Sequence, residues 1–190
     1  CLESNRELDL GAALGAHAFD DPAGLLGPAL LTLGNAYRGV VPQMVNMSIL
    51  VMHLYFPQLQ LDRGASKGMT VEDLIGVEAT IADAMEDVER SRPARPDGSL
   101  VKEELRAGAD LVTHLCRDAR YRLEGDGWLV GIPEERRLDL AANLDVIMQR
   151  HRALWSARNR PGGLADSLGW LDHLKHCYET ATVDKEWGGW

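Results

Sequence analysis

The stretch that decides the fold lies in the last third of the chain, where residues 133–163 read PEERRLDLAANLDVIMQRHRALWSARNRPGG. A proline followed by two glutamates is typical of a first helical turn, because proline loses no hydrogen bond there and acids complement the helix dipole. One face then recurs in steps of four, three, four and three residues, at Leu140, Leu144, Ile147, His151 and Leu154. This stripe predicts a long helix packed in a bundle, which ends at the Pro-Gly-Gly turn.

Six further helices are predicted from the same kind of spacing. Asp21 stands where an N-cap is expected, with Pro22 as the first helical residue, and Thr70 begins a capping box with Asp73. The seven predicted helices cover residues 8–19, 22–39, 44–56, 70–90, 101–123, 133–158 and 164–179. The sequence therefore predicts an all-α, bundle-like array of about seven helices with short loops, forming a single domain over residues 1–190.

The composition agrees with this class and excludes several functions. The chain has 28 leucines and 21 alanines, whereas valine, isoleucine and threonine together number 23, which excludes an all-β fold. A net charge of −9 without clustered cations excludes nucleic acid as a partner. The longest uncharged run, residues 39–61, has an apolar centre too short to cross a bilayer, so we interpret it as a buried helix and expect no membrane partner.

The cysteines bear on the compartment and on one possible chemistry. Cys1, Cys116 and Cys177 cannot all pair within one chain and no CxxC occurs, so we expect reduced thiols and a cytoplasmic location, with a fragment of an exported protein as the alternative. A chain that begins at Cys1 indicates a processed protein or a piece of a longer one. Cys1 is also a candidate N-terminal nucleophile, although that chemistry usually belongs to a sheet scaffold.

The most metal-like group lies on the last predicted helix, where His173, His176 and Cys177 stand at positions i, i+3 and i+4. A zinc site needs three or four converging ligands, and no second half-motif of comparable spacing exists, so no metal and no cofactor is expected. We interpret His173 and Cys177, with Trp170 and Leu174, as a second packing surface of that helix, which faces solvent. His151 is interpreted as a hydrogen-bonded core residue, and no catalytic residue is assigned.

The candidate binding residues are Trp155, Arg158, Asn159 and Arg160, which precede the Pro-Gly-Gly turn. An aromatic ring beside two arginines and an asparagine suits a sugar, or the surface of another domain. The alternative interpretation is a helix terminator, in which the arginines neutralise nearby carboxylates and the negative end of the helix dipole.

This same region carries a resemblance to a known family. Residues 151–168, HRALWSARNRPGGLADSL, resemble the C-terminal region of bacterial β-N-acetylhexosaminidases of glycoside hydrolase family 20. Residues 19–24, FDDPAG, and 33–37, LGNAY, are similar to the helical part that follows the catalytic barrel there.

The resemblance implies a parent enzyme in which a (β/α)₈ barrel performs the hydrolysis through a paired Asp–Glu. The motif that carries the pair, His-x-Gly-Gly-Asp-Glu, is missing from this sequence, so no catalytic residue is carried over. The implied role is a non-catalytic helical domain that buttresses the barrel of its parent chain or makes a subunit contact, including contact with a second copy. Two alternatives stay open: a stand-alone helical module that binds a carbohydrate or another ligand, and a small metal- or thiol-dependent enzyme.

Overall fold

The structure, a computed structural model, describes residues 7–44 and 47–183. This part of the chain contains seven α-helices and no strand, which confirms the all-α prediction. The helices are α1 (Leu10–Ala13), α2 (Leu26–Asn35), α3 (Ile49–Tyr55), α4 (Val71–Arg90), α5 (Gly98–Leu123), α6 (Glu134–Arg158) and α7 (Leu164–Thr180). A π-helical turn, Leu14–Ala18, continues α1.

The long helices begin where their capping signals predict. Thr70 immediately precedes α4, and its Oγ1 accepts a hydrogen bond from the Asp73 main-chain N–H at 3.1 Å. Helix α6 follows Pro133 directly. The predicted stripe of α4 is buried at Leu74, Val77, Ile81 and Val88, and that of α6 at Leu140, Leu144 and Ile147.

The start predicted for the second helix is wrong. Helix α2 begins at Leu26, and Pro22 lies in a turn before it. Asp21 still caps the helix, because its Oδ2 accepts the N–H groups of Leu25 and Leu26, each at 2.9 Å. Its Oδ1 accepts the N–H of Arg92 at 2.8 Å. Burial alone would raise the pKa of Asp21, but these main-chain hydrogen bonds outweigh it and lower the pKa.

Of the helix predicted over residues 44–56, residues 45–46 lie outside the described residues. The described part forms α3, which begins after Ser48, because Ser48 adopts an extended backbone and its Oγ accepts the Leu50 N–H at 3.2 Å. Pro57 follows the last turn and has no N–H with which to continue the helix. The main-chain carbonyls just after α3 are therefore available to other partners.

The chain divides into two compact units. Unit 1 comprises Cys1–Ala36 and Ala79–Ala109, and its core is formed by Leu26, Ala29 and Val88. Helices α1 and α2 approach closely because Gly27 has no side chain. A Cβ at Gly27 would lie 2.0 Å from the Gly11 carbonyl oxygen and 2.5 Å from the Gly15 nitrogen.

Unit 2 comprises Tyr37–Glu78 and Asp110–Trp190. Helix α7 packs against both α6 and α3 in this unit. Its second stripe is a packing surface, as predicted, since Leu174 and Cys177 are buried. Trp170 meets Tyr55 of α3 edge to face, with ring centroids 4.7 Å apart. The expectation that this surface faces solvent is wrong, because the pattern of one helix does not reveal which neighbour covers its second side.

Candidate functional site

A buried ion pair on α5 is the centre of a polar cluster in unit 2. Asp118 and Arg122 lie one turn apart, and both side chains have 0% of their surface exposed. Arg122 Nε donates to Asp118 Oδ1 at 3.1 Å and lies 2.9 Å from Oδ2. Arg122 Nη1 donates to the carbonyl oxygens of Pro57 at 3.0 Å and Leu59 at 3.4 Å. The arginine thereby ties the segment after α3 to α5.

Polar contacts extend from this pair to α6 and α7. The Tyr178 hydroxyl lies 3.3 Å from His114 Nε2, and it is near enough to Asp118 for that charge to raise the tyrosine pKa. His114 Nδ1 lies 2.8 Å from Asn143 Oδ1. Burial lowers the pKa of His114 and, together with the Asp118 charge, raises the pKa of Tyr178 well above its usual range. Both rings are therefore neutral at neutral pH, and the cluster holds one ion pair.

A second buried arginine also serves the main chain of unit 2. Arg137 of α6 donates from Nε to the Ile132 carbonyl at 3.0 Å and from Nη1 to the Tyr178 carbonyl. The first bond fixes the turn before α6, and the second holds the end of α7. Arginine suits both tasks because its planar group presents several donors in fixed directions.

His53 of α3 has a different environment. Its side chain is fully buried, and neither ring nitrogen has a hydrogen-bond partner among the described residues. It lines a cavity of about 220 Å³. The other lining residues are Ile49, Met52, Leu59, Gln60, Arg63, Gly64, Ala65 and Ser66. Burial, and then the positive charge of Arg122, lowers the pKa of His53 to about 3. The ring is neutral at neutral pH and offers one N–H donor and one acceptor nitrogen.

The residues predicted to bind a ligand lie apart from both features, at the end of α6. Trp155 Nε1 donates to the Arg160 carbonyl at 2.8 Å, and the Asn159 N–H donates to the Trp155 carbonyl at 2.7 Å. The Trp155 ring lies under Gly163, whose φ of 85° suits glycine. Arg158, Asn159 and Arg160 are exposed. These bonds match the helix-terminator interpretation, while ligand binding by these four residues stays a prediction.

His151 has the partners expected of a packed histidine. Its Nε2 lies 2.9 Å from Ser167 Oγ on α7, and its ring meets Trp155 edge to face, with centroids 5.7 Å apart. These contacts join the ends of α6 and α7 on either side of the turn.

In the predicted metal-like group, one contact joins His173 and Cys177, and His176 is exposed. Cys177 Sγ lies 3.6 Å from His173 Nε2, and the part of the chain that the structure describes contains no group of three or more His, Cys, Asp or Glu side chains placed to hold a metal ion. Cys116 is buried, and burial raises the pKa of its thiol to about 12. Cys1, the predicted N-terminal nucleophile, lies outside the described residues.

Sequence reasoning missed the Asp118–Arg122 pair and His53. The pair stands at i, i+4 on a predicted helix, but that spacing is typical of exposed ion pairs and gives no sign of burial. His53 interrupts the longest uncharged run, which was the available signal.

Comparison with known proteins adds no identification: no family model matches the sequence, and no curated protein or solved structure matches the chain. Within residues 7–44 and 47–183, none of the helices combines the length and apolar character that a membrane span requires.

Proposed function

We propose that this chain is a non-catalytic helical domain of a larger hydrolase that resembles the β-N-acetylhexosaminidases of glycoside hydrolase family 20. It acts by contact, with the catalytic barrel of the parent chain as its partner. The observation that supports contact best is the outward face of α6, the helix whose end carries the resemblance to that family.

Helix α6 is apolar on two sides. Leu140 and Leu144 face the core of unit 2, whereas Leu138 and Val146 are 47% and 56% exposed. The exposed pair is two turns apart, about 12 Å along the axis, with the small exposed Ala142 between them. One exposed leucine is ordinary on a protein surface. An aligned pair with a small residue between them allows a second surface to approach closely, and this favours a docking role.

The ionisable groups of unit 2 support a non-catalytic role. Asp118 is held by Arg122, and Arg137 is held by main-chain carbonyls. The Cys116 thiol, with its pKa raised to about 12, is a poor nucleophile at neutral pH. These groups stabilise the fold through their mutual contacts.

The first test reads the coding sequence on both sides of these 190 codons. We expect a barrel that carries His-x-Gly-Gly-Asp-Glu in the same reading frame. A frame that encodes no such barrel would reject the parent enzyme that we propose.

The second test measures contact between the barrel and this chain, expressed as separate polypeptides, by titration calorimetry. Leu138→Gln with Val146→Gln should weaken binding roughly tenfold. Ile75→Gln is the matched control, because Ile75 is an apolar α4 residue that is 49% exposed. Equal affinities for the wild type and the α6 variant would rule out the α6 face as the contact.

The third test concerns catalysis. The purified chain should release no nitrophenol from a nitrophenyl N-acetylglucosaminide above the buffer rate. Release in proportion to chain concentration would show that the domain is itself a hydrolase.

The alternative function, a ligand-binding module, is favoured by a separate observation, the cavity beside His53.

A further inference from the structure

We propose that the cavity beside His53 in unit 2 binds a small monocarboxylate with a short apolar tail. The site is independent of the α6 face and does not involve Trp155 or its neighbours. It is lined by residues of α3 and of the loop that follows it, residues 56–66.

The His53 ring is buried in an unfavourable state. A buried polar group without a hydrogen bond costs folding free energy, and such groups are rare in native proteins. Both nitrogens of His53 lack a partner among the described residues, and His53 is one of the residues that line the cavity. A carboxylate that accepts the ring N–H would remove the part of this cost that belongs to the donor nitrogen, so the state of the free protein favours binding.

The charges around His53 indicate the charge of the ligand. Arg122 lies close enough to His53 for its charge to lower the pKa of the ring. The charged residue that lines the cavity is Arg63, and no acidic side chain lines it. Asp118, the nearby anion of the polar cluster, is already paired with Arg122. The surroundings of His53 therefore favour an anion that accepts the ring N–H.

The lining and the volume of the cavity indicate the rest of the ligand and its size. Ile49, Met52, Leu59 and Ala65 give the cavity an apolar lining. A cavity of about 150 Å³ with apolar walls holds benzene, and this one is about 220 Å³. A ligand of roughly seven to ten non-hydrogen atoms fits that volume. Hexanoate and benzoate have this size and combine one carboxylate with an apolar body.

The experiment titrates the whole chain with hexanoate and with hexanamide, its neutral counterpart, by calorimetry. Hexanoate should saturate one site, and hexanamide should bind roughly tenfold more weakly. The imidazole nitrogen signals of His53 should shift on addition of hexanoate in a ¹⁵N nuclear magnetic resonance experiment. Absence of saturation by hexanoate at millimolar concentration overturns the proposal, and equal binding of hexanamide overturns the charge argument.

Two variants locate the site. His53→Phe keeps a ring of similar shape without the nitrogens, and Ala65→Phe fills the cavity from an exposed position at its rim. Both should lose hexanoate binding. His176→Phe makes the same ring substitution at an exposed position of α7 and should bind hexanoate as the wild type does. Hexanoate binding that survives in Ala65→Phe would place the ligand elsewhere, and this variant decides the question even where His53→Phe does not fold.

Discussion

The His114 cluster and the His53 cavity are two buried regions of the same unit, and each contains a neutral histidine. In the cluster, both nitrogens of His114 have partners, Asn143 and Tyr178. At the cavity, neither nitrogen of His53 has one among the described residues. Burial lowers the pKa of both rings, so burial does not distinguish them. The hydrogen bonds distinguish the two rings. A buried ring whose nitrogens have partners stabilises the fold, whereas a buried ring without partners beside a cavity is available to a ligand.

The largest effect is expected from breaking the Asp118–Arg122 ion pair of the polar cluster. Asp118→Leu leaves the Arg122 guanidinium buried without its carboxylate, which should lower the free energy of unfolding by about 3–5 kcal/mol. Urea denaturation of the whole chain measures this loss. The double variant Asp118→Leu/Arg122→Met should regain much of it, because both charges are then absent.

Asp110→Leu provides the matched control on the same helix. Its partner, Arg150, is partly exposed, so the substitution should cost only about 0–1 kcal/mol. If Asp110→Leu and Asp118→Leu lower the free energy of unfolding by similar amounts, the buried pair contributes no more to the stability of unit 2 than the partly exposed one.

The next effect compares the two histidines directly. His114→Phe deprives Asn143 and the Tyr178 hydroxyl of a partner, which should lower the free energy of unfolding by about 1–3 kcal/mol. His53→Phe removes two unpartnered nitrogens and should leave that free energy unchanged or raise it. Both are measured by urea denaturation at pH 7.5. Equal destabilisation by the two substitutions would contradict the distinction between the regions.

The third effect is a dependence of stability on pH. The pKa of His53 is about 3 in the folded chain and about 6.5 in an unfolded one. Between these values the unfolded chain binds a proton that the folded chain does not. The free energy of unfolding should therefore fall by about 1.4 kcal/mol for each pH unit below 6.5. His114, whose pKa is also lowered, acts in the same direction.

Urea denaturation at pH 7.5 and pH 5 measures this slope. His53→Phe should reduce it, while His176→Phe, at an exposed position, serves as the control. A slope that is identical in the wild type and in His53→Phe would show that the burial of His53 does not couple folding to pH.

The helices could be predicted from the sequence because their signals are local. The spacing of Leu140, Leu144 and Ile147 and the cap at Thr70 act within a few residues, and both are found in the structure. The error at α2 concerns its start: Gly24 has a φ of 67°, outside the range of a right-handed helix, so the helix begins only at Leu26. Asp21 is also held by the N–H of Arg92, 71 residues away. A pattern read along one segment does not contain such a partner.

The polar cluster and the cavity could not be predicted for the same physical reason. Arg122 is buried because carbonyl oxygens 65 and 63 residues away accept its hydrogen bonds. Those carbonyls are available because α3 is only seven residues long and ends before Pro57. The spacing of Asp118 and Arg122 alone predicts a surface pair.

The smallest effect concerns Trp155, whose environment is intermediate between the two regions: its Nε1 is bonded to the Arg160 carbonyl, and the residues around it are exposed. Trp155→Phe removes that hydrogen bond and keeps an aromatic ring against Gly163, so the free energy of unfolding should fall by about 0.5 kcal/mol, as measured by urea denaturation.

If the segment only terminates α6, N-acetylglucosamine at millimolar concentration should leave the tryptophan fluorescence unchanged. A saturable change that disappears in Trp155→Ala would instead establish Trp155, Arg158, Asn159 and Arg160 as a sugar site. Because this outcome is independent of the His53 cavity, it separates the two candidate binding regions.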